Sequence, residues 1–265
     1  MAIVRILVGA IAVALLPAVS AEACSKTVRW YDDAPYSYQA PDGKISGFDA
    51  DLVREVLRRT GCKAEFVKMP FARALVALES GRLDILPSVF RDPHRETFAY
   101  FSSPSLQSPN LLYVGTNART GYRLSNLRDL LGTEFRLGVQ IGVSYGDQFE
   151  ALKADPQFLA NQVPVTLRRN AWKMMALGRI DGMIADEASA EVELRELGLA
   201  GTIKPSGVVA STSNARMGFS KHSVSPQFVA AFNRALQSTI ADGEYQRIRD
   251  RYLRCPANLK VLGCD

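Results

Sequence analysis

From Trp30 onward strand-like and helix-like segments alternate, and this alternation narrows the possible folds more than any other feature. "TVRWY" is β-branched and aromatic, and "APDG" supplies a turn. "FDADLVREVLRRTG" then places Leu52, Val53, Val56 and Leu57 on one helical face and ends at Gly61, a residue suited to a helix C-terminus. Strand "AEFVKM", helix "ARALVALESG" and strand "LDILPSV" complete a βαβαβ unit. Such a unit calls for a parallel sheet with helices on both faces. A second series follows "YVGTN": helix "SNLRDLLG", strand "FRLGVQI", helix "YGDQFEALKA", strand "VPVTLR", helix "AWKMMALGR", strand "DGMIA" and helix "EASAEVELRELG". The chain closes with strand "ARMGFSK" and two helices. One series inserted within the other implies an α/β protein of two lobes, each a mostly parallel sheet flanked by helices, joined by two crossing strands near Val114 and Met217. Lobe one is expected at 24–115 plus 217–265, and lobe two at 116–216.

The first 23 residues are set apart. Arg5, an apolar run from Ile6 to Val19 broken by Pro17, and small residues at Ser20, Ala21 and Ala23 have the layout of a secretory signal peptide, so a soluble exported protein is expected. Export bears on the cysteines, since an even number in an oxidising compartment points to disulfides. Cys24 and Cys62 each precede a strand, and parallel pairing of those strands would bring them to one sheet edge, so Cys24–Cys62 is expected. Cys255–Cys264 is expected as a clamp on the C-terminal tail. There is no C-x-x-C pair, and no metal site is expected. The net charge of +5 is spread among acidic residues, as in "DADLVREVLRRTGCKAEF", and implies a solvated basic surface rather than a nucleic-acid partner.

Three segments could carry chemistry. In "RDPHR", Asp92 and Pro93 start a helix, which leaves the cation Arg95 in its first turn, where the helix dipole opposes it. A ligand carboxylate would explain it; a surface pair with Asp92 or Glu96 is the plainer reading. In "GRIDGMIADEASAE", Asp186 ends a strand and caps the next helix, as a plain cap or as the acceptor for a cationic group. In "GVQIGVSYGD", Ser144 lies where free backbone N–H groups could cradle an anion.

Four motifs, "GKISGFDADLVREV", "GRLDILPSVFRDPHRETFAYFSSP", "LGVQIGVSYGD" and "GRIDGMIADEASA", spread in order over most of the chain, resemble the extracellular solute-binding proteins of ABC importers, family 3, of the polar amino-acid type. The resemblance implies the periplasmic-binding-protein fold. It also implies a periplasmic, monomeric receptor, without cofactor, that captures a small amino acid or related carboxylate between its lobes for an inner-membrane ABC permease. It puts Arg95 on the ligand carboxylate, helped by backbone near Ser88 and Ser144, and Asp186 on the ligand amine. Phe71 would be an aromatic contact, and Val143 would line the site beside Ser144. The family's stacking aromatic before "APY" is Asp33 here, with Tyr31 or Tyr36 as substitutes. Asp32 and Asp33 would suit a cationic ligand side chain, and a solvated turn explains them equally. A zwitterion held by Arg95 from one lobe and Asp186 from the other would favour closure.

Other jobs have weaker support. "GVSYG" matches the G-x-S-x-G nucleophile elbow, with Asp181 or Asp186 and then His222 following in triad order. A hydrolase of that kind needs one large sheet and an oxyanion loop, and the chain offers neither. A sensor or accessory protein would keep the fold, as would a dehydratase using Glu187 or Asp33.

Overall fold

The structure, a computed structural model, describes residues 24–116 and 122–254. The signal-peptide segment and the Cys255–Cys264 pair fall outside the described residues. The first unit runs β1 (Ser25–Trp30), β2 (Tyr38–Gln39), β3 (Ile45–Ser46), α1 (Phe48–Arg59), β4 (Lys63–Lys68), α2 (Phe71–Glu79), β5 (Ile85–Val89), α3 (Arg95–Phe98), β6 (Ala99–Phe101) and β7 (Leu106–Gln107). The second runs β8 (Asn110–Gly115), β9 (Leu137–Gln140), α4 (Asp147–Leu152), α5 (Pro156–Asn161), β10 (Gln162–Val165), α6 (Arg168–Ala176), β11 (Gly182–Asp186), α7 (Glu187–Glu196) and β12 (Ile203–Ser211). β13 (Asn214–Ser220), α8 (Pro226–Ala241) and α9 (Glu244–Tyr252) return to the first.

Two sheets result. One has the order β4-β1-β5-β13-β6 with β7 on β13, the other β10-β9-β11-β8-β12. The parallel part of each is the βαβ core read from the sequence: β1 with β4 and β5, and β9 with β10 and β11. Antiparallel strands join them, because a chain that leaves one sheet for the other and returns must run back: β13 against β5, and β8 against β11 and β12. Both sheets are thus mixed. β8 also pairs wholly within the second sheet, although the sequence division had put Asn110–Gly115 in lobe one. "SNLRDLLG" forms only a 3₁₀ turn, Leu127–Leu130.

Burial follows the helical pattern. Leu52, Val53, Val56 and Leu57 of α1 are fully buried and pack with α8 and α9 on one face of the first sheet. α2 covers the other face with Ala74, Ala77 and Leu78. In the second unit, α4 and α5 pack on one side through Phe149 and Phe158, and α6 and α7 on the other through Trp172 and Leu194. The β1–β4 register pairs Ser25 with Lys63, and the preceding residues, Cys24 and Cys62, form a disulfide. Among the described residues no helix is long and apolar enough to cross a membrane.

Candidate functional site

The site lies where the carboxyl ends of the parallel strands meet between the two sheets, the place open α/β sheets leave for ligands. Near the end of β5 lies Ser88, whose φ of 51° is in the left-handed region that non-glycine residues rarely enter. Backbone strain of this kind gathers at functional sites. The chain then turns at Asp92, whose side chain accepts the Arg95 N–H at 2.8 Å and pairs with its Nε at 3.0 Å. Arg95 is only 7% exposed. One terminal nitrogen donates to Phe90 O at 2.8 Å, and the other donates across the cleft to Gly142 O at 3.1 Å. Burial lowers the Arg95 pKa from its ordinary value, with Asp92 only partly opposing, so its charge lacks full compensation. The pair with Asp92 expected on the plainer reading is thus made, but it lies buried beside the cavity rather than on the surface.

Asp186 closes β11 and caps α7, accepting the Ser189 N–H at 2.9 Å. The same oxygen accepts the Tyr36 hydroxyl at 2.8 Å from the other lobe, and the second oxygen accepts Ser108 Oγ. Burial raises the Asp186 pKa despite these donors. Arg95 and Asp186 are therefore both charges that their surroundings disfavour, and they are of opposite sign.

A chain of ion pairs crosses the cleft beside them. Arg29 of β1 donates from Nε to Met69 O at 3.2 Å and has a terminal nitrogen 3.9 Å from Asp33. The other Asp33 oxygen accepts Arg168, from the far lobe, at 2.6 Å. Arg168 also grips Glu193 at 2.8 and 3.1 Å, and Glu193 accepts the Trp172 indole N–H at 2.6 Å. Burial works against the Asp33 carboxylate, yet Arg168 and Arg29 together hold its pKa below the ordinary value. Asp32, by contrast, is exposed and pairs with Lys68 at 2.7 Å.

These groups enclose a cavity of about 310 Å³. Every ligand residue named from the sequence lines it: Tyr31, Asp33, Tyr36, Phe71, Ser88, Arg95, Val143, Ser144 and Asp186. Sequence reasoning missed Arg29, Ser108, Arg168 and Glu193, which line it too. Arg29 was readable, as a charge inside an apolar strand; Ser108, Arg168 and Glu193 carry no local signal and reach the cavity only through tertiary packing. The triad does not assemble. Asp181 is buried in a two-pronged pair with Arg136 at 2.7 and 2.9 Å, and His222 is exposed on a turn beside Gly81. Glu187 does not line this cavity, and Asp33 is held by Arg168.

Behind Ser88, Asp49 is 4% exposed, and its Oδ1 and the Ser88 hydroxyl each lack a hydrogen-bond partner among the described residues. Burial pushes the Asp49 carboxyl up from 3.8 to about 7. The unfolded chain sheds this proton near the lower value while the folded one keeps it, so the Asp49 contribution to stability falls as pH rises through that window and is level above it. Urea midpoints of wild type and Asp49→Asn across this range should show the variant gaining on wild type as pH rises. Parallel curves would refute the assignment.

The bacterial extracellular solute-binding proteins, family 3, match residues 28–254. The chain belongs to this family. Its members are binding proteins, not enzymes. Among relatives, an L-arginine-binding protein of Pseudomonas aeruginosa is 24% identical over 254 residues, 93% of this chain and 95% of the relative. A probable histidine-binding protein of Campylobacter jejuni is 28% identical over 167 residues, 61% of this chain and 59% of its own length. An ancestral arginine-binding protein solved with arginine superposes with a TM-score of 0.74 at 22% identity, over 87% of this chain and 98% of that one. The fold of this family member is the two-lobed one these relatives share.

Proposed function

We propose that this solute-binding protein is the periplasmic receptor of an ABC importer, that it captures a free amino acid between its lobes, and that it passes it as a monomer to an inner-membrane permease. The observation that carries the reading is the pair Arg95 and Asp186. They line one cavity from opposite units, each with its charge disfavoured by burial. An α-amino acid supplies the missing carboxylate and ammonium at once. On this reading the lobe crossings fall at Ser108–Pro109 and Thr212–Ser213, which the sheet membership of β8 and β13 supports. The pairs Arg95–Gly142 and Tyr36–Asp186 would part on opening, and a bridging ligand favours the state in which they are made.

A thermal-shift screen of free L-amino acids should find a stabilising ligand. Calorimetry with that ligand should show Arg95→Gln and Asp186→Asn each weakened by about 1.5–3 kcal/mol, tenfold to a hundredfold or more. Asp186→Asn keeps an oxygen for the Ser189 cap, so thermal stability should change little. Affinities near wild type in both variants would remove the clamp.

A further inference from the structure

The donors and acceptors around Asp33 do not balance. Arg29 is 9% exposed and lines the cavity, with its guanidinium carbon 5.8 and 5.9 Å from the ring centroids of Tyr31 and Phe71. Only its Nε makes a hydrogen bond among the described residues; one terminal nitrogen has no closer acid than Asp33 at 3.9 Å, and the other has no partner. Arg168 likewise bonds through Nε and one terminal nitrogen, leaving the other unused. The acceptors are nearly all taken. One Asp33 oxygen and both Glu193 oxygens already face Arg168, and Trp172 shares the latter. The four charges cancel, so net charge does not select a ligand here. Hydrogen-bonding capacity does, because N–H groups that face the cavity without a hydrogen-bonding partner in the wall favour a ligand group that accepts from them.

We propose that the ligand is an acidic amino acid, whose side-chain carboxylate accepts from the terminal nitrogens of Arg29 while Arg95 and Asp186 hold its α-carboxylate and amine. The inference rests on the clamp reading above and adds a second anion subsite to it. The titration behaviour is consistent. Burial leaves Arg29 with a lowered pKa that Asp33 and Asp49 only partly offset, as it leaves Arg95 beside Asp92, whereas Asp33 and Arg168 have each other and shift toward their charged forms. Among the groups lining the cavity, the two undercompensated cations and the acid Asp186 complement a ligand with two carboxylates and one ammonium. A guanidinium or ammonium side chain would instead bring further donors to a wall already short of acceptors.

Calorimetry with L-glutamate, L-aspartate, L-glutamine, L-arginine, L-lysine, L-histidine and L-alanine decides this on the wild-type chain. Glutamate or aspartate should bind at least about tenfold more tightly than any cationic amino acid and more tightly than glutamine. Arg29→Met should cost the acidic ligand at least about tenfold and leave L-alanine, which has no side-chain carboxylate, within about threefold. A cationic amino acid or glutamine binding best overturns the proposal, as does an acidic ligand indifferent to Arg29→Met. The wild-type ranking stands whether or not that variant folds. Failure of all seven to bind a cooperatively melting protein would instead sink the clamp itself, and this inference with it.

Discussion

Gly47→Ala should lose about 3–5 kcal/mol of stability and most of the ligand affinity, although residue 47 touches no ligand. Gly47 precedes α1 with φ 118°, a backbone conformation that side-chain-bearing residues adopt only under strain of about 1–3 kcal/mol. A Cβ there would also stand 2.4 Å from Tyr36 O and 2.5 Å from its carbonyl carbon, with Ser37 N at 2.8 Å. Backbone cannot swing aside as a side-chain tip can, so the Asp33–Ser37 turn must move. That turn is tied to the helix it would leave: Tyr36 O accepts the first-turn N–H of Asp49 at 2.9 Å. Moving it uncaps α1, draws the Tyr36 hydroxyl from Asp186 and shifts Asp33 from Arg168. Urea denaturation and ligand titration of the variant should both register the change. A stability loss under about 1 kcal/mol would mean that the turn yields without cost, against the close contacts described.

The elements of this fold were legible where one physical signal dominated. α1 carries its apolar face in Leu52, Val53, Val56 and Leu57 and stops at Gly61, which has φ 77°. β5 is a short apolar run between "GRL" and a charged turn, and its end does carry the cavity. β12, "IKPSGVVAS", went unread because Pro205 and Gly207 look like punctuation; in the structure the irregular register between Pro205 and Val209 absorbs them within a strand. The limit of lobe one was misplaced for a related reason. "NLLYVG" is a strand in any local reading, and only its partners, β11 and β12, reveal which sheet it joins.

The site divides the same way. Arg95 and Asp186 sit beside strand ends and helix starts, where chain direction tells which way a side chain can face. Asp33 was visible as a departure from an aromatic pattern, but its meaning was not, because the partner is 135 residues away. Arg168 begins α6 within "LRRN", where either arginine could turn inward; tertiary packing brings one against Glu193 and Asp33 and leaves Arg169 with the exposed Glu196.

Arg168→Met should be the other costly substitution, at about 3–5 kcal/mol, because it strips the partner from two acids at once. Glu193 is 4% exposed, and Asp33 faces the cavity between the lobes, so neither carboxylate can recover full hydration in place. Arg29, at 3.9 Å, is left as the counter-ion of Asp33, and Glu193 keeps the Trp172 N–H at 2.6 Å and the more distant Arg169 at 4.0 Å. In wild type, Asp33 has a folded pKa below its ordinary 3.8, so its stabilising contribution is present above that value and disappears as pH falls through the lower one. In the variant, burial acts on Asp33 without Arg168 and moves its carboxyl the other way, making its ionised form a source of instability. The gap between wild type and variant should therefore be widest near neutrality and narrow as pH drops toward about 4. Adding Glu193→Met should recover part of the loss, since removing both members of a buried pair costs less than stranding one. Urea unfolding of the single and double variants at two pH values measures all of this. A single variant no less stable than wild type at neutral pH, or a gap that widens on acidification, would show that Arg168 does not carry the charge balance of this wall.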